Sequence, residues 1–168
     1  MMKIMGNVRI IWFLVFFLLL GLLPVVSMAD HAGVRIAGNL IDGSGRFVSV
    51  EEIEKLGITP SLKVLEPYEK KDYHFSGVWL DEFIRAYGKA DTLKLELVAI
   101  DDYTITISRA DWTENRILLV TKTNGKHIDF QSKGPVRIVY PFYNPSNVDE
   151  MEKIQQWIWM ITDITFLK

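Results

Sequence analysis

The chain offers few side chains that could carry covalent or redox chemistry, and its lack of cysteine is the first constraint. None of its 168 residues is a cysteine. Cysteine nucleophiles and thiolate ligands for zinc, iron or molybdenum are therefore excluded. The three histidines, His31, His74 and His127, do not form an H-x-x-x-H or H-E-x-x-H pattern. The sequence also lacks a nucleophile elbow, a P-loop and a G-x-G-x-x-G motif. These observations favour a domain that binds something over one that catalyses a reaction.

Arg137 is the first candidate for a binding residue, because it interrupts the otherwise apolar segment VRIVY. A guanidinium presents a planar fork of donors that suits an anion. In a strand, Val136, Ile138 and Tyr140 would share one face, and Arg137 and Val139 the other. Two interpretations remain open: Arg137 points into a ligand cleft, or it lies on the solvent face and stacks on an aromatic ring.

Three further polar side chains are candidate ligand-binding residues. Tyr103 follows the acidic pair Asp101-Asp102 and could line a cleft or pack at a strand edge. Asp102 most simply stabilises its own turn through a hydrogen bond from the backbone to its side chain. Asn144 precedes a proline, which is typical of a turn opener, but its amide could also contact a ligand. We therefore predict a ligand-binding cleft to which Arg137, Tyr103, Asp102 and Asn144 contribute.

Two tryptophans near the C-terminus could contribute an aromatic surface. Trp157 and Trp159 lie two residues apart, so in a strand they would share one face. They could form an aromatic wall for a ligand or partner, or pack against a helix. The preceding acidic run VDEMEK is typical of a solvated helix face.

The N-terminus predicts export. Lys3 and Arg9 are the charged residues of the first 29, and residues 10–26 form an uncharged apolar run. Pro24 breaks this run near its end, and a small-x-small pattern ends at Ala29, as at a signal peptidase site. We predict cleavage after Ala29 and a periplasmic or secreted protein that contacts the membrane through the signal segment before cleavage. An uncleaved anchor is the alternative, because the run approaches the length of a membrane span.

The remaining residues, 30–168, are predicted to form a single acidic domain. Without Lys3 and Arg9, 17 Lys and Arg face 21 Asp and Glu, a formal net charge of −4. An acidic surface without a basic stripe repels phosphate backbones, so nucleic acid is not an expected partner. With no disulfides, this length of chain must be stabilised by a hydrophobic core, and it is long enough to form one.

Two short helices are predicted. In FVSVEEIEKLG, Ser49 and Glu52 form a capping box, Val48 and Ile53 a hydrophobic staple, and Gly57 ends the helix after Leu56. In WLDEFIRAYG, apolar residues at helical spacing form one face, and Gly88 ends the helix. SRADW could add one helical turn.

The other segments predict strands, which makes the expected fold class α+β. KKD is expected to turn the chain between the second and third strands, and Asn124-Gly125 suits a type I′ hairpin turn. The predicted strands are VRIAGNLI, SLKVLEPY, YHFSGV, LKLELVAI, YTITI, RILLVTK, VRIVY and WIWMITDITF.

In its order of segments, the chain resembles the molybdopterin-binding domain of the sulfite oxidase family. The resemblance extends over nearly all of residues 30–168 and implies that fold, mostly strands with two or three short helices. It also implies that Arg137 points into the ligand cleft and that the turn before Tyr103 lies at its rim. The features that carry it are Gly77-Val78 with Leu80 opening a helix, Asp102-Tyr103 after a strand, Asn124-Gly125 before a polar turn, Gly134 to Pro141 (GPVRIVYP), and Trp159 in a closing strand.

Two departures from the family bear on function. The resemblance places the metal-ligand cysteine of catalytic members roughly at Val64 or Leu65, and neither side chain can coordinate molybdenum. The segment in which the family carries basic residues for the pterin phosphate reads YNPSNVDEMEKIQQW here, with Lys153 among three carboxylates. No cofactor is therefore expected, and molybdopterin is implied by the resemblance alone.

Three functions follow from these observations. The first is an exported, non-catalytic binding module of the cell envelope that takes a small anionic or aromatic ligand or an envelope protein partner. The second is an oxidoreductase that holds molybdopterin without a protein thiolate. The third is an interaction protein with no small ligand.

Overall fold

The computed structural model describes residues 32–144, 146–147 and 153–168, in which ten strands form two five-stranded sheets. The predicted signal segment and its cleavage position lie outside these residues. Within them, no helix has both the length and the hydropathy needed to cross a bilayer. In chain order, the strands are β1 (Gly33–Gly38), β2 (Arg46–Ser49), β3 (Leu62–Glu66), β4 (Lys71–Trp79), β5 (Lys94–Ala99), β6 (Thr104–Ser108), β7 (Leu118–Thr123), β8 (Lys126–His127), β9 (Arg137–Val139) and β10 (Ile161–Leu167).

The two sheets differ in their strand order. The first has the order β2-β1-β10-β5-β6, so the last strand lies at its centre and pairs in parallel with β1. The second has the order β3-β4-β7-β8, with β9 also paired to β7. The other pairings within both sheets are antiparallel. β9 thus belongs to the second sheet and β10 to the first, so the segment between these two strands runs from one sheet to the other.

Three short helices connect the strands of the described region. They are α1 (Val50–Glu54), α2 (Leu80–Tyr87) and α3 (Arg109–Glu114). The predicted capping box at Ser49 and Glu52 is confirmed, and a second one joins Ser108 to Asp111 at the start of α3. Each box satisfies backbone donors that a helix end leaves without partners.

One hydrophobic core joins both sheets and the helices. Its largest fully buried side chains include Trp157, Phe75, Phe83 and Phe166. Removing such a side chain from water contributes about 1.5–3 kcal/mol. Leu80, Phe83 and Ile84 are buried on α2, as their helical spacing predicts.

Several local predictions are corrected. The chain turns at residues 67–70 and β4 already begins at Lys71, so the turn precedes most of KKD. The segment RFVS forms β2, which the sequence analysis did not predict, and α1 ends at Glu54, before Leu56. The last strand begins at Ile161, so Trp157 and Trp159 lie outside it. The hairpin prediction is confirmed, because Asn124 and Gly125 both have positive φ between β7 and β8.

Candidate functional site

Aromatic residues from three distant segments line one depression, which we call the aromatic cleft. Its volume is about 230 Å³. Tyr68 comes from the turn between β3 and β4, Tyr103 from the turn between β5 and β6, and the tryptophans from the segment before β10. The described residues that line it are Tyr68, Ala99, Asp101, Tyr103, Trp157, Ile158 and Trp159.

The two tyrosines of the cleft are fixed by their hydroxyl groups. The Tyr68 hydroxyl donates to the Ile154 carbonyl at 2.7 Å, and the Tyr103 hydroxyl donates to the Gln155 carbonyl at 3.0 Å. Burial of its hydroxyl, together with the neighbouring Tyr103 and Glu66, raises the pKa of Tyr68. Both residues nevertheless remain 48% exposed. Both hydroxyl groups thus donate their protons to backbone carbonyls, while the rings face solvent. This arrangement suits stacking of a ligand on the rings and not proton transfer.

Tyr68 and Trp159 form adjoining walls of the aromatic cleft. Their ring centroids are 5.2 Å apart, and their planes meet at 83°. Trp157 is almost fully buried behind them, and its ring lies edge-on to Tyr143. Trp157 and Trp159 therefore do not form a common aromatic wall: Trp159 lines the cleft, whereas the ring of Trp157 packs in the core, and an irregular segment and not a strand carries both.

The acidic turn beside Tyr103 is built differently from the prediction. Asp101, and not Asp102, accepts the backbone N–H of Tyr103 with its carboxylate, at 3.3 Å. Asp102 instead takes the left-handed conformation, with φ of 65°. Aspartate tolerates this conformation better than most residues do. Asp101 lines the aromatic cleft, whereas Asp102 does not belong to its lining.

Arg137 lies in a buried ion pair. It is 3% exposed, and its Nη2 donates to the carboxylate of Glu66, which is 0% exposed, at 3.1 Å. Lys133 approaches the same carboxylate oxygen at 3.4 Å and also pairs with Glu69. Burial lowers the pKa of the Arg137 guanidinium, and Glu66 opposes that shift. We call Glu66, Glu69, Lys133 and Arg137 the Glu66 cluster.

The Glu66 cluster borders a second depression, the polar cleft, with a volume of about 650 Å³. Arg137, Lys133 and Glu69 line it, together with Lys126 and Asp129 and less polar neighbours such as Phe75. Carboxylates of the cluster already neutralise two of these cations. A phosphate would have to displace Glu66 or Glu69 to reach them. Arg137 and Lys133 are therefore poor partners for the phosphate of a molybdopterin.

The positions that resemble the metal-ligand site also lack suitable side chains. Val64 is buried in the core and Leu65 is exposed on the opposite face of β3. Neither belongs to the lining of the aromatic or the polar cleft. Across the described ranges, no group of three His, Cys, Asp or Glu side chains could hold a metal ion.

The structure does not bring the four candidate residues together in one cleft. Tyr103 lines the aromatic cleft and Arg137 lines the polar cleft. Asn144 stabilises a turn by accepting the N–H of Ser146 at 3.0 Å, and it lines neither cleft.

Sequence reasoning missed Tyr68, Asp101 and Glu66. One signal was available for Glu66, because the alternation in β3 places it on the same buried face as Val64.

Comparison with known proteins identifies the fold and no closer relationship. No family model matches the chain, and a search of curated proteins found no match. Among solved structures, the chain is similar to the sulfane dehydrogenase SoxCD from Paracoccus pantotrophus, with a TM-score of 0.59 and 12% identity. The match covers 83% of this chain and 39% of that one. The predicted α+β, sulfite oxidase-like fold is thus confirmed. The relationship is a distant one of fold, and the matched SoxCD chain is more than twice as long as the part that matches.

Proposed function

We propose that this protein is an exported, non-catalytic binding module of the cell envelope, and that its aromatic cleft holds a small ligand. The observation that carries the proposal is the convergence of Tyr68, Tyr103 and Trp159 on one depression. Two of these rings are half exposed although burial would be favourable. Clustered, exposed aromatic surface is typical of a binding site.

The two tyrosine hydroxyls of the cleft and the nearby Arg137 are already engaged, which favours binding over catalysis. The tyrosine hydroxyls donate to backbone carbonyls, and Arg137 is paired with Glu66. The sequence supplies no thiol nucleophile or thiolate ligand. A general acid, base or nucleophile needs a proton or lone pair available to a substrate. The distant likeness to SoxCD shows the fold, and fold alone does not carry an activity.

An aromatic or apolar ligand suits the aromatic cleft better than an anion does. The charged side chain in its described lining is Asp101, a carboxylate. Lys133 and Arg137, the cations that lie near the Trp159 ring, line the polar cleft instead and are paired with carboxylates there. Of the two ligand classes considered from the sequence, the anionic one is therefore the poorer match for this cleft.

Two measurements on the protein purified after export test this function. The first is the content of molybdenum and of pterin, the latter by fluorescence after oxidation, in protein from a molybdenum-replete host. Both are expected to be substoichiometric, and stoichiometric amounts of both would overturn the non-catalytic assignment in favour of an oxidoreductase. The second is a thermal-shift screen with small aromatic compounds, oxyanions, pterins and nucleotides. Ligand binding raises the apparent stability by mass action, so millimolar affinities are detectable.

Matched variants locate any ligand that the screen finds. Tyr103→Ala removes one wall of the aromatic cleft and is expected to abolish the shift. Phe130→Ala removes an aromatic ring that is 59% exposed and lines neither cleft, and it should leave the shift unchanged. A shift retained in Tyr103→Ala, or no hit at high ligand concentration, would contradict the proposed site. The latter result would favour an envelope protein partner without a small ligand.

A further inference from the structure

We infer that the ligand of the aromatic cleft carries a compact positive charge, and that its chemical class is the alkylammonium head groups. The inference rests on the proposed function and specifies the ligand class of the same site. It follows from the arrangement of the aromatic rings, the charge of the lining and the size of the depression.

The rings are arranged as walls around a small volume. Tyr68 and Trp159 meet at 83°, so their faces enclose a corner, and Tyr103 contributes a third ring to the same lining. The negative face of an aromatic ring attracts a cation, and cages of several rings recognise quaternary ammonium groups. Trp159 already takes part in such contacts, because Lys133 and Arg137 lie 5.1 and 5.8 Å from its ring centroid. Neither cation lines the aromatic cleft.

The charge of the lining has the sign that a cation requires. Asp101 makes no ion pair with any residue of the described ranges, and its carboxylate accepts the backbone N–H of Tyr103 at 3.3 Å. By contrast, Glu54, Glu66 and Glu69 each pair with a basic side chain. An unpaired carboxylate beside exposed rings attracts a cation and repels an anion.

The volume limits the ligand to a head group or a small molecule. At about 230 Å³, the cleft lies below the range of roughly 300–1,000 Å³ that is usual for drug-sized ligands. A trimethylammonium group is compact and weakly hydrated for a cation, so its transfer to an aromatic site costs little. We therefore expect a small or terminal alkylammonium and not an extended cationic chain.

The test compares three probes of nearly the same shape by isothermal titration calorimetry. The first probe is choline, and the second is its neutral isostere, in which a tert-butyl group replaces the trimethylammonium group. The third is the carboxylate anion 3,3-dimethylbutanoate (tert-butylacetate). Choline is expected to bind about fivefold or more tighter than the neutral isostere, as cation–π and carboxylate contributions together predict. The anion is expected to bind most weakly.

Two variants isolate the role of Asp101. Asp101→Asn keeps an oxygen for the Tyr103 N–H, removes the charge, and is expected to weaken choline binding by about three- to tenfold. Its effect on the neutral isostere should be small. Asp102→Asn is the matched control, since it removes the adjacent charge at a position that does not line the cleft, and asparagine also tolerates the left-handed conformation there. This variant should change choline binding by less than about twofold.

The possible outcomes separate the inference from the proposed function. One outcome is that choline and the isostere bind equally, that Asp101→Asn changes neither affinity, and that Tyr103→Ala abolishes binding of both. The inference of a charged ligand then fails, while the proposed binding site stands. If no probe binds, the alkylammonium class is wrong, and the wider thermal-shift screen decides the proposed function independently. Tight binding of tert-butylacetate would also overturn the inference.

Discussion

Replacing Glu66 by glutamine should destabilise the protein strongly, because four donors converge on its buried carboxylate. One oxygen accepts Arg137 Nη2 at 3.1 Å and faces Lys133 Nζ at 3.4 Å. The other accepts the backbone N–H groups of Tyr68 and Glu69 at 2.9 and 2.7 Å. A glutamine keeps one acceptor oxygen and turns an NH₂ group toward the remaining donors. It therefore leaves Arg137 buried without its counter-charge.

The expected loss follows from the burial of the pair. Breaking a buried ion pair by neutralising one partner costs about 3–5 kcal/mol, a large part of the roughly 5–15 kcal/mol that stabilises a domain. Arg137→Met should cost less, about 2–3 kcal/mol, since Lys133 and two backbone donors still surround Glu66. The double variant removes the unpaired charge, so its loss should fall short of the sum of the single losses by about 1.5 kcal/mol or more.

Urea unfolding followed by tryptophan fluorescence measures these free energies of unfolding. The matched control is Asp72→Asn, which breaks the exposed ion pair of Asp72 on β4 with Lys63 on β3, the strand that also carries Glu66, and should cost less than about 0.5–1 kcal/mol. Additive losses in the double variant, or a Glu66→Gln loss similar to the control, would refute the view that Arg137 is a structural ion-pair partner. Arg137 would then be available to bind an anion.

Three further predictions test other parts of the fold by the same unfolding assay. Gly77→Ala should cost more than about 2 kcal/mol, because a Cβ there would lie 2.1 Å from the Leu119 carbonyl oxygen across the β4–β7 bulge; wild-type stability would contradict this close approach. Ser49→Ala should cost about 1 kcal/mol by removing the cap of α1, and no loss would show that the capping box is not formed. Burial raises the pKa of Glu54, but Thr121, Lys122 and His127 together lower it below the ordinary 4.5. The charge of Glu54 therefore stabilises the fold above that pH. This contribution is lost as the pH falls through the pKa of the folded state. Glu54→Gln should therefore cost about 1–3 kcal/mol at neutral pH, and its difference from wild type should shrink between about pH 6 and pH 3; a difference independent of pH would contradict the assignment.

The parts of the fold that could be predicted from the sequence are those with local causes. The capping box of Ser49 and Glu52 and the turn at Asn124-Gly125 depend on residues within a few positions of one another. The helical face of α2 follows in the same way from its spacing. β2 was missed because the residues of RFVS lie between a turn and a helix start, and their pairing with β1 is not encoded in their own alternation.

The candidate site was harder to predict because its contacts are long-range. Tyr68 and Tyr103 are 35 positions apart in sequence, and Trp159 follows another 56 positions later. Aromatic residues at such separations read individually as core or strand-edge residues. Similarly, an arginine in an apolar strand predicts either a ligand or a partner, and the partner, Glu66, lies 71 positions away. The irregular segment that carries Trp157 and Trp159 resembles a strand in its alternation, although β10 begins after it.

The Glu66 cluster contacts two walls of the aromatic cleft, which explains why a buried ion pair lies beside the proposed binding surface. Glu66 accepts the backbone N–H of Tyr68, one wall of the cleft. It also pairs with Arg137, whose backbone bridges to Trp159, the adjoining wall, and whose guanidinium lies 5.8 Å from that ring. A buried ion pair contributes little net stability compared with apolar packing, but it enforces one geometry. We propose that in this chain the geometry enforced is the corner between Tyr68 and Trp159, so that Arg137 would support the proposed ligand binding from behind the site without contacting the ligand.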